Sequence, residues 1–454
     1  MGRTQRLIRD PRGVAARFRH AHSRASIWPP TRRASSSAGL IRGGRPTTPE
    51  PVPGAWLRLA ALGAAGVTGL VVVSGALHLG LPHKALVVLA TPLLVAVVIA
   101  AATAHRPLLG VSVAALALVV AESALGGIVA FAGDPWWASV LHVAFAALAF
   151  AAALLTAAAA FRGEHVPAGA WRDYVELTKP RIMLLLLITA AAGMFVGAQG
   201  LPRLSQLLVV LAGGALACAG ASALNHYLDR DIDALMGGRT AGRPIVAGRL
   251  TAPRALEFGL VLSAFSFVLL ASLVNVLAAT LALVGNLFYV LVYTSWLKRS
   301  TVQNIVIGGA AGAVPPLVGW AAATGNLTLP AFFLFLIIFF WTPPHFWALA
   351  LLIKREYAAA RIPMLPVVRG DRETSRQILL YSLVLATTTL LPFLWHTVGG
   401  VYLAAALFLD AVFVFLALTL ARDTNPARAG RLFHFSLLYL ALLFAAMAVD
   451  TVIV

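Results

Sequence analysis

The chain has 454 residues, 60% of them hydrophobic and 11% charged, with a mean hydropathy of +0.87 and a formal net charge of +18. That balance excludes a soluble domain and defines a polytopic membrane protein. The basic residues fall in an N-terminal tail and in short loops between apolar segments, as the positive-inside rule requires, so the charge serves membrane topology and not nucleic acid.

Residues 1–54 are rich in Arg, Ser, Gly and Pro, and carry only Asp10 and Glu50 as acids. With no apolar run to bury, this segment is predicted to be a disordered basic tail on the cytoplasmic side, near anionic headgroups. The same composition also describes an organelle transit peptide. Four apolar segments follow at 56–77, 84–104, 108–132 and 137–161, each long enough to cross a bilayer core that needs about 20 helical residues. Short turns make them an antiparallel four-helix module over 55–162. His83 opens the second helix and His142 the fourth. Ionisable groups at membrane depth are functional candidates, and two histidines facing each other across a bundle have the geometry to ligate a heme iron. The alternative is a pair of histidines that only hydrogen-bond near the interface.

A polar connector over 163–181 ends in Lys179-Pro180-Arg181 and marks a domain boundary. Nine further spans are predicted over 182–454, at 182–200, 205–226, 254–273, 275–294, 304–322, 329–353, 379–396, 399–421 and 433–453. Arg and Lys concentrate in alternate loops, which puts the N-terminus inside and the C-terminus outside. The single cysteine, Cys218, lies in an apolar run, so no disulfide framework or CxxC site exists.

The second of these nine spans ends in Ala223-Leu-Asn-His-Tyr-Leu-Asp-Arg-Asp-Ile-Asp233. Asn225, Asp229 and Asp233 are spaced i, i+4, i+8, which on an α-helix rotates each side chain by about 40° and stacks them about 6 Å apart. A stripe of hard oxygen donors suits Mg²⁺, which typically bridges one or two carboxylates to substrate phosphates. Arg239 and Arg243 follow on a Gly-rich loop, where a phosphate finds counter-charge. Tyr293 to Asn304 carries Lys298 and Arg299, and Trp341-Thr-Pro-Pro-His345-Phe-Trp347 leads to Lys354-Arg-Glu356-Tyr357. Pro343-Pro344 is predicted to break or kink the helix before His345.

Asn225-x-x-x-Asp229-x-Asp231-x-Asp233, Arg239-Thr-x-x-Arg243-Pro, Leu297-Lys-Arg-Ser-Thr-x-Gln-Asn-Ile-Val-Ile-Gly-Gly and Pro344-His-Phe-Trp-Ala together resemble the UbiA superfamily of intramembrane prenyltransferases, in particular its heme-prenylating branch. The resemblance covers about 171–454. It implies an all-α, nine-helix intramembrane bundle, here preceded by the four-helix module. It implies transfer of the farnesyl group of farnesyl diphosphate to the vinyl group of heme b, giving heme O on the route to heme A. In that reading Asn225, Asp229 and Asp233, with Glu356, hold Mg²⁺ on the diphosphate. Arg239, Arg243, Lys298, Arg299, Lys354 and Tyr357 bind substrate, and His345 either orients the heme or acts as a base. The implied setting is a bacterial plasma membrane, with heme A synthase or cytochrome oxidase assembly factors as partners; a transit peptide would instead place the chain in the mitochondrial inner membrane. The first module, through Ala121-Glu-Ser-Ala-Leu-Gly-Gly-Ile-Val-Ala, Gly133-Asp-Pro-Trp-Trp and Val140-Leu-His142, resembles half of a heme A synthase, which implies a second bound heme. Prenylation of a quinone precursor by the same chemistry, or a transporter with a cation site at the membrane edge, are the competing expectations.

Overall fold

The computed structural model describes residues 54–76, 80–104, 108–131, 136–160, 171–238 and 240–453. The described residues form one compact unit, and no β-strand occurs among them. Thirteen helices there are long and apolar enough to cross a membrane. Residues 1–53 of the predicted tail and 163–170 of the connector lie outside the described residues.

α1 (Ala55–Ala76), α2 (Gly80–Ala104), α3 (Leu109–Phe131) and α4 (Trp136–Ala160) pack as neighbours in a four-helix bundle. Its core is Ala-rich, with Leu57, Leu94, Val97 and Val119 interleaved among Ala61, Ala115, Ala149 and Ala153. Small side chains let helix backbones approach closely, and van der Waals packing then replaces the hydrophobic drive that lipid removes.

After the short α5 (Trp171–Thr178) come α6 (Pro180–Ala198), α7 (Leu204–Leu228), α8 (Arg230–Met236), α9 (Ala252–Leu273) and α10 (Val276–Leu287). A ten-residue π-helix, Phe288–Leu297, continues α10 and ends in the single turn α11 (Lys298–Ser300). Next are α12 (Asn304–Thr324), α13 (Leu329–Leu352), α14 (Lys354–Ala359), α15 (Leu365–Thr389), α16 (Leu391–Leu394), α17 (Gly400–Arg422) and α18 (Pro426–Ile453). The long helices pack in sequence around a ring that α6 closes by lying against α12 and α18. The four-helix bundle docks on this ring through α4 and α9, where Val72 and Ala147 meet Val268.

Three expectations need correction. The oxygen stripe does not ride on one unbroken helix: Asp229 (φ −86°, ψ 2°) caps α7, and α8 starts at the next residue. The bonds Asp229 N–H to Asn225 O and Asp233 N–H to Asp229 O, both 2.8 Å, nevertheless carry the i, i+4 register across the junction. Nor do Pro343 and Pro344 break α13, which runs through both. Each proline removes the donor that Phe339 or Phe340 C=O would have used and crowds that carbonyl with its ring, a cost that packing against neighbouring helices offsets, so the helix is not broken there. Finally, α15 begins at Leu365, well before the apolar run at 379. Pro366 starts it, and Gly370, at φ 79°, lets the chain turn between its two parts.

Candidate active site

Asn225 lies in the last turn of α7 and its side chain organises the polar cluster. Its amide donates to Asp229 Oδ2 (2.8 Å) and to Thr294 Oγ1 on the π-helix (3.2 Å), while its Oδ1 accepts from Lys179 Nζ (2.9 Å). Lys179 stands immediately before α6 in the left-handed region (φ 51°), a conformation that aims its side chain back across the end of the bundle. The π-helix supplies Thr294, and its wider turn is a feature recurrent at functional sites.

Asp229 and Asp233 are each only 1% exposed. One oxygen of each is neutralised: Lys298 Nζ donates to Asp229 Oδ2 at 2.5 Å, and Arg243 Nη1 to Asp233 Oδ2 at 2.5 Å. Their Oδ1 atoms are buried with no hydrogen-bond partner, as are both ring nitrogens of His226 and both side-chain polar atoms of Asn304. A buried polar atom left unpaired costs about 1–3 kcal/mol, so such a group is where a ligand or ion supplies the missing partner. Two unpartnered carboxylate oxygens beside an amide oxygen are a donor set that fits a hard divalent cation whose remaining positions go to phosphate oxygens and water.

Arg243 and Lys298, together with Lys179 when it is protonated, set up to three positive charges against two carboxylates. Burial, then Arg243 and Lys298, push the Lys179 ammonium down to about 7, against the pull of Asp229 and Asp233. The cluster is therefore short of negative charge, and an anion entering it relieves the repulsion among the cations. The loop bearing Arg243 is pinned at several points. Thr240 Oγ1 donates to Asp233 O at 2.5 Å, and Arg249 bonds Asp173 (2.7 Å), Glu176 (2.6 Å) and Gly242 O (2.9 Å).

The other expected site residues divide. Arg239 lies outside the described residues. Arg299 forms a two-pronged pair with Asp231 at 2.6 and 2.7 Å, also bonds Leu228 O, and holds the Asp231 carboxyl down at about 2. It braces the α7–α8 junction and approaches Asp229 Oδ1 only to 4.0 Å. Lys354 pairs with Asp371 at 2.7 Å. Tyr357 is buried in the core that also holds Ile232 and Ile305. Among the described residues no three His, Cys, Asp or Glu side chains gather as a metal cluster, although α14, which carries Glu356, packs against α8, which carries Asp233. His345 is 7% exposed on α13, stacked on Trp341 with centroids 4.3 Å apart.

Lys179 and Thr294 are the members to which sequence reasoning gave no role, and Asp231 entered it only as a letter of the motif. Lys179 has a signal in hindsight: a lone Lys-Pro step directly before an apolar run, which is also how a topology-setting charge looks. Thr294 has none, because the side it presents depends on the π-helical register.

A ring of apolar helices with a buried, charge-rich cluster at one end defines an integral membrane protein. The chain belongs to the UbiA prenyltransferase family, which matches residues 186–443. It is 55% identical over 281 residues to the protoheme IX farnesyltransferase of Symbiobacterium thermophilum, covering 62% of this chain and 94% of that one. To the protoheme IX farnesyltransferases of Roseiflexus sp. and Thermus thermophilus it is 52% identical over 282 residues and 49% over 331. These matches cover 62% and 70% of this chain but 53% and 54% of the relatives, so it spans about half their length. In fold it is similar to a digeranylgeranylglyceryl phosphate synthase, with TM-score 0.53 and 18% identity over 62% of this chain and 99% of that one.

Proposed function

We propose that the chain transfers the farnesyl group of farnesyl diphosphate to a vinyl group of heme b, giving heme O. The observation that carries this reading is the pair of buried, unpartnered Asp229 and Asp233 oxygens facing a field of Lys179, Arg243 and Lys298, in a chain that over 62% of its length is 52–55% identical to protoheme IX farnesyltransferases.

Asn225, Asp229 and Asp233 would hold Mg²⁺, which when bound offsets charge on the diphosphate. Lys179, Arg243 and Lys298 bind the diphosphate and stabilise it as the carbon–oxygen bond breaks, most strongly when its charge is greatest. The allylic cation left behind is attacked by the terminal vinyl carbon of the heme, forming a carbon–carbon bond. Water then adds to the resulting benzylic-type cation and loses a proton, so farnesyl diphosphate, heme b and water become heme O, diphosphate and a proton. The apolar ring keeps water from the first cation until the acceptor is in place. Thirteen apolar helices with basic alternate loops support an integral membrane protein with its N-terminus inside and its C-terminus outside, and the bacterial relatives support a plasma-membrane setting. Extraction and mass analysis of hemes from membranes expressing the chain test the reading: heme O is expected with the wild type and absent with Asp229→Ala. Heme b alone in both overturns it.

For the four-helix bundle we propose a separate heme between His83 and His142. His83 Nδ1 lies 3.1 Å from Val71 O and Ser74 Oγ, and His142 Nδ1 lies 3.0 Å from Glu122 O. A backbone carbonyl on Nδ1 fixes the proton there and leaves Nε2 as a ligand, the usual second shell of a metal-bound histidine. Each ring packs on a glycine, His83 on Gly75 and His142 on Gly126, where a larger residue would displace it. The full chain is expected to show a bis-histidine heme spectrum that His142→Ala removes; an unchanged spectrum contradicts this site.

A further inference from the structure

His345 is held more tightly than a residue that only fills space. α13 brings Trp341 and His345 to one face, four residues apart, and α18 brings Phe433 and Ser436 opposite. The imidazole is sandwiched, with Trp341 on one side (4.3 Å, 14°) and Phe433 on the other (4.9 Å, 23°), and Phe346 meets its edge at 5.2 Å and 90°. Trp341 Nε1 donates to Ser436 O at 2.9 Å, which locks the register of α18 against α13 at the very residue whose hydroxyl reaches the ring.

Proton counting settles what that hydroxyl does. Ser436 is fully buried, and its Oγ lies 2.6 Å from Phe433 O and 2.7 Å from His345 Nδ1. A hydroxyl has one proton to give. Two oxygens at 2.6 Å repel unless that proton lies between them, so Ser436 donates to Phe433 O. Its lone pair then faces Nδ1, which must carry hydrogen and donate. Neutral imidazole has one N–H, so Nε2 is left unprotonated. The one hydrogen bond that His345 makes to a described residue is at Nδ1.

We propose that Ser436 is a positioning residue: it holds His345 in the Nδ1–H tautomer, so that an immobile Nε2 lone pair is presented to the prenyl acceptor. This rests on the acceptor reading above for what Nε2 meets. It gives His345 the part of a lone-pair donor, toward the heme iron or toward the attacking water, and denies it the part of a neutral proton donor.

Two arms test it on the full chain. With ¹⁵N-labelled histidine and the His345→Gln variant to identify the signal, nitrogen NMR should show His345 protonated at Nδ1, and Ser436→Ala should move that proton to Nε2. In turnover, Ser436→Ala should lower kcat/KM for the heme by about 10–100-fold, the range for loss of a partner that orients a histidine. The half-saturation for farnesyl diphosphate should stay unchanged, and Ser436→Thr, which restores a hydroxyl, should recover most of the loss. A wild-type signal with the proton on Nε2 overturns the proposal, as does a Ser436→Ala enzyme with unaltered tautomer and kinetics. If Ser436→Ala fails to insert, the wild-type signal alone decides. Because the tautomer is read without turnover, absence of heme farnesylation would sink the acceptor reading and leave this arm standing.

Discussion

Removing Lys179 is expected to separate diphosphate binding from the rest of the proposed site. Its ammonium bonds Asn225 Oδ1 and lies in the field of Asp229 and Asp233, yet it is not a metal-type donor. Losing a charged hydrogen bond is worth about 1.5–3 kcal/mol, and about 1.4 kcal/mol is tenfold in an equilibrium constant, so Lys179→Gln should raise the half-saturation for farnesyl diphosphate by about tenfold or more. The heme half-saturation should barely move; equal effects on both substrates would contradict the assignment. Asp233→Asn tests the other partner: it keeps the size of a side chain that is 1% exposed but leaves Arg243 without its carboxylate. Product formation should fall at least about a hundredfold while the protein still inserts, as judged by its yield after detergent extraction. Asp229 and Asp233 were legible in the sequence because carboxylates at helical spacing beside an apolar run are expensive to bury and persist where a cation or anion-binding network uses them. Arg299 was legible as a charge but not as a strut, because its pairing with Asp231 depends on the break between α7 and α8.

Among the helices, close backbone contact does more than intrinsic propensity. A Cβ on Gly319 of α12 would fall on Ala190 O of α6, and one on Gly193 of α6 would fall on Pro316 O of α12, so each helix touches the other's backbone through a glycine. Gly312, on the same α12, has nothing within 4 Å of that position. Gly319→Ala and Gly193→Ala must push two buried helices apart, a strain of about 1–3 kcal/mol or more. Gly312→Ala removes only the glycine's conformational freedom and should stabilise by roughly 0.5–1 kcal/mol. Thermal unfolding in detergent should therefore order the three as Gly312→Ala at or above wild type, with the other two several degrees below; a drop for all three would mean glycine is needed along α12 for another reason. Apolar runs of span length announced the long helices, whereas the elements that shape the site did not announce themselves. The π-helix through Tyr289, Tyr293 and Thr294 reads as ordinary apolar helix, and the first turns of α15 carry Arg369, Asp371 and Arg372, which hydropathy reads as loop.

Over the full chain, the four-helix bundle and the prenyltransferase ring meet along α4 and α9, where Phe150 and Phe265 flank Val72, Ala147 and Val268. Every described member of the charged cluster, from Lys179 to Lys298, belongs to the ring. A chain lacking 1–162 should therefore keep heme farnesylation in membranes while unfolding at lower temperature, since α9 would exchange protein packing for lipid. Loss of activity with intact insertion would mean that the bundle takes part in the reaction. In the proposal above, the Asn225–Asp229–Asp233 cluster ionises farnesyl diphosphate for attack by heme. Single-turnover reaction of the purified full chain with heme b, farnesyl diphosphate and Mg²⁺, followed by mass analysis of the extracted porphyrin and assay of released diphosphate, examines that step in isolation. Heme O and diphosphate are expected in equal amounts from wild type, and neither from Asp229→Ala. Diphosphate release with no change in the heme, or prenylation of a quinone precursor in its place, would contradict the assignment.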